Sequence, residues 1–359
     1  MTIPADPDGT EDDRTRIVVA ATPHRDEPPE QTRLVPAARA GTAAESEPAA
    51  APDNGLDAVV FWGEAIFRPG QLLANTFIVK TLISRGGMGE IYRATHRDLG
   101  TEHAIKVLRP AMLAEPSAVA LLLEEARLLQ HIRHDAVVPC HGLIRDGDDR
   151  QLLVMEFLRG ETLSIRLRQG ALREAGLLVL LRRLLVALEA LRGYGIVHQD
   201  ISPDNLILRN DSVHETTLID FGVARVLSEP GGAHGSLDFA GKYSWVSPEQ
   251  LDPARSGTIG PASDLYSVAL VVAAAARGTK LEMGQDLDTA LAARIGVPAL
   301  DGVVEPVAVL LRRLLVPDPG RRATAADLLA VLDEPRGMRR LLRRWLPGQG
   351  HAAPGPGIG

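Results

Sequence analysis

The sequence predicts an α+β protein in which a β-rich part is followed by a helical part. Short β-rich runs occupy 77–83, 90–95, 102–108, 136–144 and 151–158, with a single helical stretch between the third and fourth. From about residue 160 the hydrophobic period becomes helical, over 172–193, 262–277, 286–295, 304–315 and 324–333, broken by Gly and Pro turns. The two patterns meet at "EFLRG". The first part therefore reads as a five-stranded, mostly antiparallel sheet with one helix inserted. That helix, "PSAVALLLEEARLLQHI" over 116–132, has a Pro near its start and helical spacing of Leu122, Leu129 and Ile132.

Ahead of the first run, residues 1–65 are rich in Pro, Ala, Asp, Glu and Thr and show no sustained apolar period. Such a segment cannot bury enough surface to offset chain entropy, so it is expected to be disordered. It holds 13 acids against 5 basic residues, which leaves about +1 of the net charge of -7 for the rest of the chain. A neutral body with an acidic tail does not suggest a nucleic-acid partner. The tail contains an internal echo: "DRTRIVVA" (13–20) and "EQTRLVPA" (30–37) both read acid, any residue, Thr, Arg, aliphatic, Val.

With 45% apolar residues but 4% aromatic, the core must be built from Ala, Leu and Val. The single Cys, Cys140, lies in "AVVPC" and reads as a buried strand residue rather than a nucleophile. The first 30 residues lack an apolar leader core, and "LYSVALVVAAAARG" (265–278) is too short for a membrane helix. A cytoplasmic location is the expectation.

Four stretches carry chemistry. "SRGGMGEIY" (84–92) places a glycine-rich hairpin between two strands, where backbone N–H groups can approach phosphates. "HAIKVL" places Lys106 in a strand among apolar neighbours, which is costly unless its ammonium meets a negative group. Glu125, on the inserted helix, is the candidate partner. "HQDISPDNLIL" (198–208) offers Asp200 to accept a hydroxyl proton, and Asn205 joins Asp220 of "TLIDFGVAR" in offering oxygen ligands to a divalent metal.

With these pieces in order, residues 70–335 resemble the bacterial serine/threonine protein kinases of the eukaryotic-like (Hanks) type. "WVSPEQ" with Ser247, Pro248 and Glu249, Asp264 in "SDLYS" and Arg322 in "DPGRRATAADLL" extend the match. The resemblance implies a two-lobed protein kinase fold, an N-lobe over 66–158 and a C-lobe over 159–335. It implies ATP with Mg2+ or Mn2+, and protein substrates. Gly86, Gly87 and Gly89 would cover the phosphates; Ile83, Ile91 and Ala104 would lie against the nucleotide. Lys106 would hold the α- and β-phosphates and pair with Glu125. Met155 would be the gatekeeper, with Glu156 and Leu158 as hinge residues. Asp200 would be the catalytic base, Asn205 and Asp220 the metal ligands, and His198 and Asp264 the supports of the catalytic loop. Arg322 would pair with Glu249.

The chain also departs from that pattern. Ser84 replaces the first Gly, and Gln199 replaces an Arg that reads a phosphorylated loop. Ser202 stands where a Lys would steady the transferred phosphoryl group. Lys242, where the family usually has Thr, is the candidate to supply the missing charge. Thr15 and Thr32 head the two echoed islands, which resemble ligands of phosphothreonine-reading forkhead-associated domains, so self-phosphorylation there is an expectation. Residues 336–347 gather five Arg with Leu341, Leu342, Trp345 and Leu346. That basic amphipathic helix would pack on the helical lobe or contact an anionic membrane; 348–359 would be disordered. Two other readings stay open: a pseudokinase or nucleotide-binding scaffold, favoured by Ser202 and Gln199, and a small-molecule phosphotransferase, disfavoured by the set Pro248, Glu249, Asp264 and Arg322.

Overall fold

The computed structural model describes residues 65–227 and 243–334. Strands β1 (Leu72–Leu73), β2 (Phe77–Arg85), β3 (Gly89–His96) and β4 (Glu102–Leu108) precede helices α1 (Pro110–Leu113) and α2 (Pro116–His131). Strands β5 (Cys140–Arg145) and β6 (Gln151–Glu156) complete an antiparallel sheet in the order β1-β2-β3-β4-β6-β5. The sheet thus has six strands rather than five, because Leu72 and Leu73 pair with Ile78 and Phe77 at its edge. Two residues are too few to leave a periodic signal.

In β4 the buried His103, Ile105 and Val107 alternate with Ala104 and Lys106, which share the opposite face, and Leu108 is buried at the strand's end. "AVVPCHGLI" does not form one strand. Pro139 lacks the N–H a ladder needs. On its N-terminal side, Val138 N–H donates to Leu218 O (3.0 Å) and Leu218 N–H to Ala136 O (2.8 Å), while Cys140–Arg145 pairs with β6. Cys140 is buried, and burial pushes its thiol up.

The chain continues through β7 (Gly160–Thr162), α3 (Leu163–Arg168), α4 (Glu174–Gly193), β8 (Ile196–Val197), β9 (Leu206–Arg209), β10 (Thr216–Leu218) and β11 (Arg225–Val226). Then follow α5 (Pro248–Leu251), α6 (Pro253–Ser256), α7 (Pro261–Arg277), α8 (Leu287–Ala292), α9 (Glu305–Leu314) and α10 (Ala325–Asp333). The small sheets β10-β9-β7 and β11-β8 support the loops between α4 and α5. Helix α7 is buried continuously from Ser263 to Ala275. Its "VVAAAA" run lets neighbours approach on every side, which is how a core nearly without aromatics is filled. Around it α4, α9 and α10 contribute Leu177, Leu184, Leu310 and Leu328 to one apolar cluster that runs on through Leu153 of β6.

Among the described residues no helix is long and apolar enough to cross a membrane. Thr15, Thr32, Lys242 and the basic stretch 336–347 lie outside the described residues.

Candidate active site

Lys106 and Glu125 meet between β4 and α2. Lys106 Nζ donates to Glu125 Oε2 at 2.7 Å and to Asp220 Oδ1 at 2.8 Å, the latter 114 residues away in sequence. Burial alone would lower the lysine, but the Asp220 and Glu125 carboxylates outweigh it and push it up, so the ammonium stays charged. Lys106 holds Asp220 well below the usual carboxylate range. Glu125, 2% exposed, is pushed up because desolvation exceeds what the shared cation returns. Glu125 Oε1 also accepts the Phe221 N–H (3.3 Å), which ties α2 to the segment carrying Asp220.

The loop 198–205 is held from below. Asp264, near the start of α7, accepts the N–H groups of His198 (2.7 Å) and Gln199 (2.8 Å), one on each carboxylate oxygen. Burial pushes Asp264 up to about 7 against those two donors. Gln199 needs this grip, because its φ of 67° is left-handed and rare for a residue with a side chain. The His198 ring packs edge-on against Phe221 at 4.7 Å. Asn205 Nδ2 donates to Asp200 O (2.8 Å) and Asp200 Oδ2 (3.0 Å), which orients the carboxylate. Ser202 is buried, 4% exposed, and brings no charge.

A cavity of about 340 Å³ opens between the sheet and the loop. Ile83, Ile91, Ala104, Lys106, Glu125, Met155, Glu156, Leu158, Asn205 and Asp220 line it. Gly86, Gly87 and Gly89 belong to the hairpin between β2 and β3 and are not among the lining residues; the hairpin is closed by Gly86 N–H to Gly89 O at 2.9 Å. A Cβ at Gly89 would overlap Val107 O, so the crossing of β3 and β4 excludes a side chain there whatever else the hairpin meets. At Gly87 the space is open.

Further along, Glu249 and Arg322 form a fully buried two-pronged pair (2.5 and 2.8 Å), and the remaining guanidinium N–H groups reach the carbonyls of Val316, Ala262 and Pro317. Gln250 Nε2 donates to Gln199 O at 2.8 Å, linking α5 to the loop.

Residues 77–331 match the protein kinase domain family. The chain belongs to that family. This kinase domain is 36% identical over 200 residues to the serine/threonine-protein kinase pkn2 of Myxococcus xanthus, a match covering 55% of this chain and 24% of that one. It is 30% identical over 210 residues to the serine/threonine-protein kinase PknA of Mycobacterium tuberculosis, covering 57% and 47%. The matched region spans less than half the length of either relative. A crystal structure of a kinase domain superposes with a TM-score of 0.63 at 20% identity, covering 73% of this chain and 96% of that one, a likeness of fold.

The kinase domain's cavity has further walls that motif spacing did not indicate. Val138, Ile207 and Ile219 line it, as do Thr162, Ser164, Ile165, Arg168 and Asp204. Ile207 lies in β9 between the buried Leu206 and Leu208, so strand alternation turns it to the opposite face, where it lines the cavity. Nothing local marks Val138, which reaches the cavity through its bond with Leu218. The family uses ATP with a divalent metal, and the donor set here fits one. Asn205 commits its Nδ2 to Asp200, which leaves the amide oxygen, and Asp220 commits Oδ1 to Lys106 and Gly222 N–H, which leaves Oδ2. Two hard oxygens at one rim of the cavity suit Mg2+ or Mn2+.

Proposed function

We propose that this chain is an ATP-dependent protein kinase that transfers the γ-phosphoryl group to Ser or Thr hydroxyls of proteins. The observation that carries this reading is the Lys106 ammonium between Glu125 and Asp220, lining one cavity with Asn205, whose side-chain amide in turn holds Asp200. Lys106 binds the α- and β-phosphates, and Glu125 keeps it from folding onto the sheet. Asp200 accepts the proton of the attacking hydroxyl as the new O–P bond forms and the β–γ bridge breaks, releasing ADP. Asn205 and Asp220 would hold Mg2+, which would neutralise phosphate charge. Ile83, Ile91, Ala104, Met155, Leu158 and the Glu156 backbone receive the adenine, with Gly86 and Gly87 over the phosphates.

Ser202 leaves the transferred group without its usual cation, and Lys242 supplies that charge from the segment before Tyr243. The acceptors include Thr15 and Thr32 of the chain's own acidic tail, which then dock a phosphothreonine-reading domain. Incubation with Mg-ATP and mass spectrometry, wild type beside Asp200→Ala and Lys242→Ala, tests the reading. Phosphate on Thr15 and Thr32 in the wild type, none in Asp200→Ala and little in Lys242→Ala is the expected result. Nucleotide binding without transfer in the wild type selects the scaffold reading that Ser202 and Gln199 favour.

A further inference from the structure

Arg294, just past the end of α8, is only 2% exposed. Unlike Arg322, it meets no carboxylate among the described residues. Its guanidinium is satisfied by backbone carbonyls: Nε donates to Val246 O (2.9 Å), Nη1 to Met283 O (2.8 Å) and Ala290 O (2.7 Å), and Nη2 to Tyr243 O. Burying a cation against neutral acceptors is a costly way to fill space, and an apolar side chain would do that better. What the fork does that no apolar side chain can is tie two stretches of backbone together: Tyr243–Val246 on one side, Met283 and Ala290 on the other.

The stretch it holds runs beside the catalytic loop. Its far end is anchored there by Gln250, which donates to Gln199 O one residue before Asp200 and accepts the Ser247 N–H at 3.0 Å. Residues 243–250 are therefore fixed at both ends, to the loop by Gln250 and to α8 by Arg294, with the Glu249–Arg322 pair beneath. Such a shelf next to Asp200 is suited to receive an extended acceptor chain. Its height relative to Asp200 is set by where the guanidinium pins the carbonyls of Tyr243 and Val246.

We propose that Arg294 is a positioning residue for the protein substrate, holding the 243–246 backbone so that the acceptor hydroxyl arrives at Asp200. The inference rests on the protein-kinase reading, and it concerns the acceptor alone, since Arg294 does not line the nucleotide cavity.

The test uses the full chain carrying Arg294→Met, which removes every donor, and Arg294→Lys, which keeps the charge but loses the fork. Acceptors are a synthetic peptide of residues 10–37 and dephosphorylated casein. In Arg294→Met the KM for acceptor is expected to rise about tenfold while kcat, the KM for ATP and acceptor-free ATP hydrolysis stay within about twofold; Arg294→Lys falls between. Hydrogen exchange is expected to quicken over 243–250 and 283–290 and to stay unchanged over 196–206. An unchanged acceptor KM, or a fall in kcat and ATP hydrolysis with acceptor KM unaltered, overturns the inference. If Arg294→Met melts below the assay temperature, the same split in Arg294→Lys decides. If the wild type hydrolyses ATP but phosphorylates neither acceptor, the protein-kinase reading fails and the acceptor role falls with it.

Discussion

Glu125 approaches Lys106 at 2.7 Å although 19 residues separate them, and the same carboxylate accepts the Phe221 N–H of the segment that carries Asp220. The carboxylate is nearly inaccessible and the ammonium is shared with Asp220, so the three charges stand or fall together. The position of α2 is thereby coupled to the readiness of the cavity.

Replacing Lys106 by Met is expected to leave two carboxylates around an apolar chain. The buried Glu125 then loses its counter-charge, and removing one partner of such a pair costs about 3 kcal/mol. Urea unfolding should show that loss, and Lys106→Met with Glu125→Gln should recover part of it, because a neutral amide has less to desolvate. Phosphoryl transfer should fall by at least about a hundredfold in both variants. Equal stability of the single and double variants would rule out charge burial as the cause.

Asp264→Asn should be damaging despite its near-identical shape. Both carboxylate oxygens accept backbone N–H groups, and an amide offers one oxygen and one opposing donor, so the N–H of His198 or Gln199 is orphaned. The expected cost is about 2 kcal/mol, read as a lower melting midpoint. Transfer should drop as the left-handed turn at Gln199 relaxes, with ATP affinity changed little.

The glycines of the hairpin should separate by mechanism. Gly89→Ala places a methyl group against Val107 O and should destabilise the fold by about 2 kcal/mol. Gly87→Ala meets open space and should melt like the wild type while binding ATP more weakly. Thermal melts beside nucleotide titrations would reveal the reverse order if the assignment is wrong.

A pH effect is expected from the outer face of the sheet. His103 is lowered by burial first, then by His141 and His96; its Nδ1 lies 3.0 Å from His141 Nδ1, its Nε2 2.8 Å from Thr101 Oγ1, and Phe77 packs edge-on against it. The unfolded chain therefore binds the proton more readily than the folded one. The stabilisation is present above the unfolded value of 6.5 and is lost as pH falls through the depressed folded value. Chemical denaturation between pH 7.5 and 5 should show wild-type stability declining more steeply than that of His103→Gln. Parallel slopes would assign the decline to other groups.

Much of this site is legible in the amino-acid sequence. Lys106 stood out as a charge inside an apolar strand, and the "HQDISPDN" and "DFG" spacings placed Asp200, Asn205 and Asp220 on short loops where local geometry does most of the positioning. The runs that became β2, β3, β4 and β6 were legible because their alternation or apolar density exceeds their ends. Elements too short to show a period were not: β1, α3, α5 and the strands under the catalytic loop. "AVVPCHGLI" misled because its apolar run spans a proline, and only Leu218 from a distant strand shows where its first half belongs.

The sequence by itself determined which chemical groups are present and in what order, because the glycine hairpin, the strand lysine and the Asp-Asn loop are local patterns held by short-range backbone geometry. The tertiary structure alone decided which charges are buried and what answers them. Lys106 is answered by Asp220 as well as by Glu125, Gln250 reaches the carbonyl of Gln199 from 51 residues beyond it, and Arg294 is buried among backbone carbonyls. A buried charge survives only where partners from elsewhere in the chain compensate its lost water, and that compensation exists only after folding.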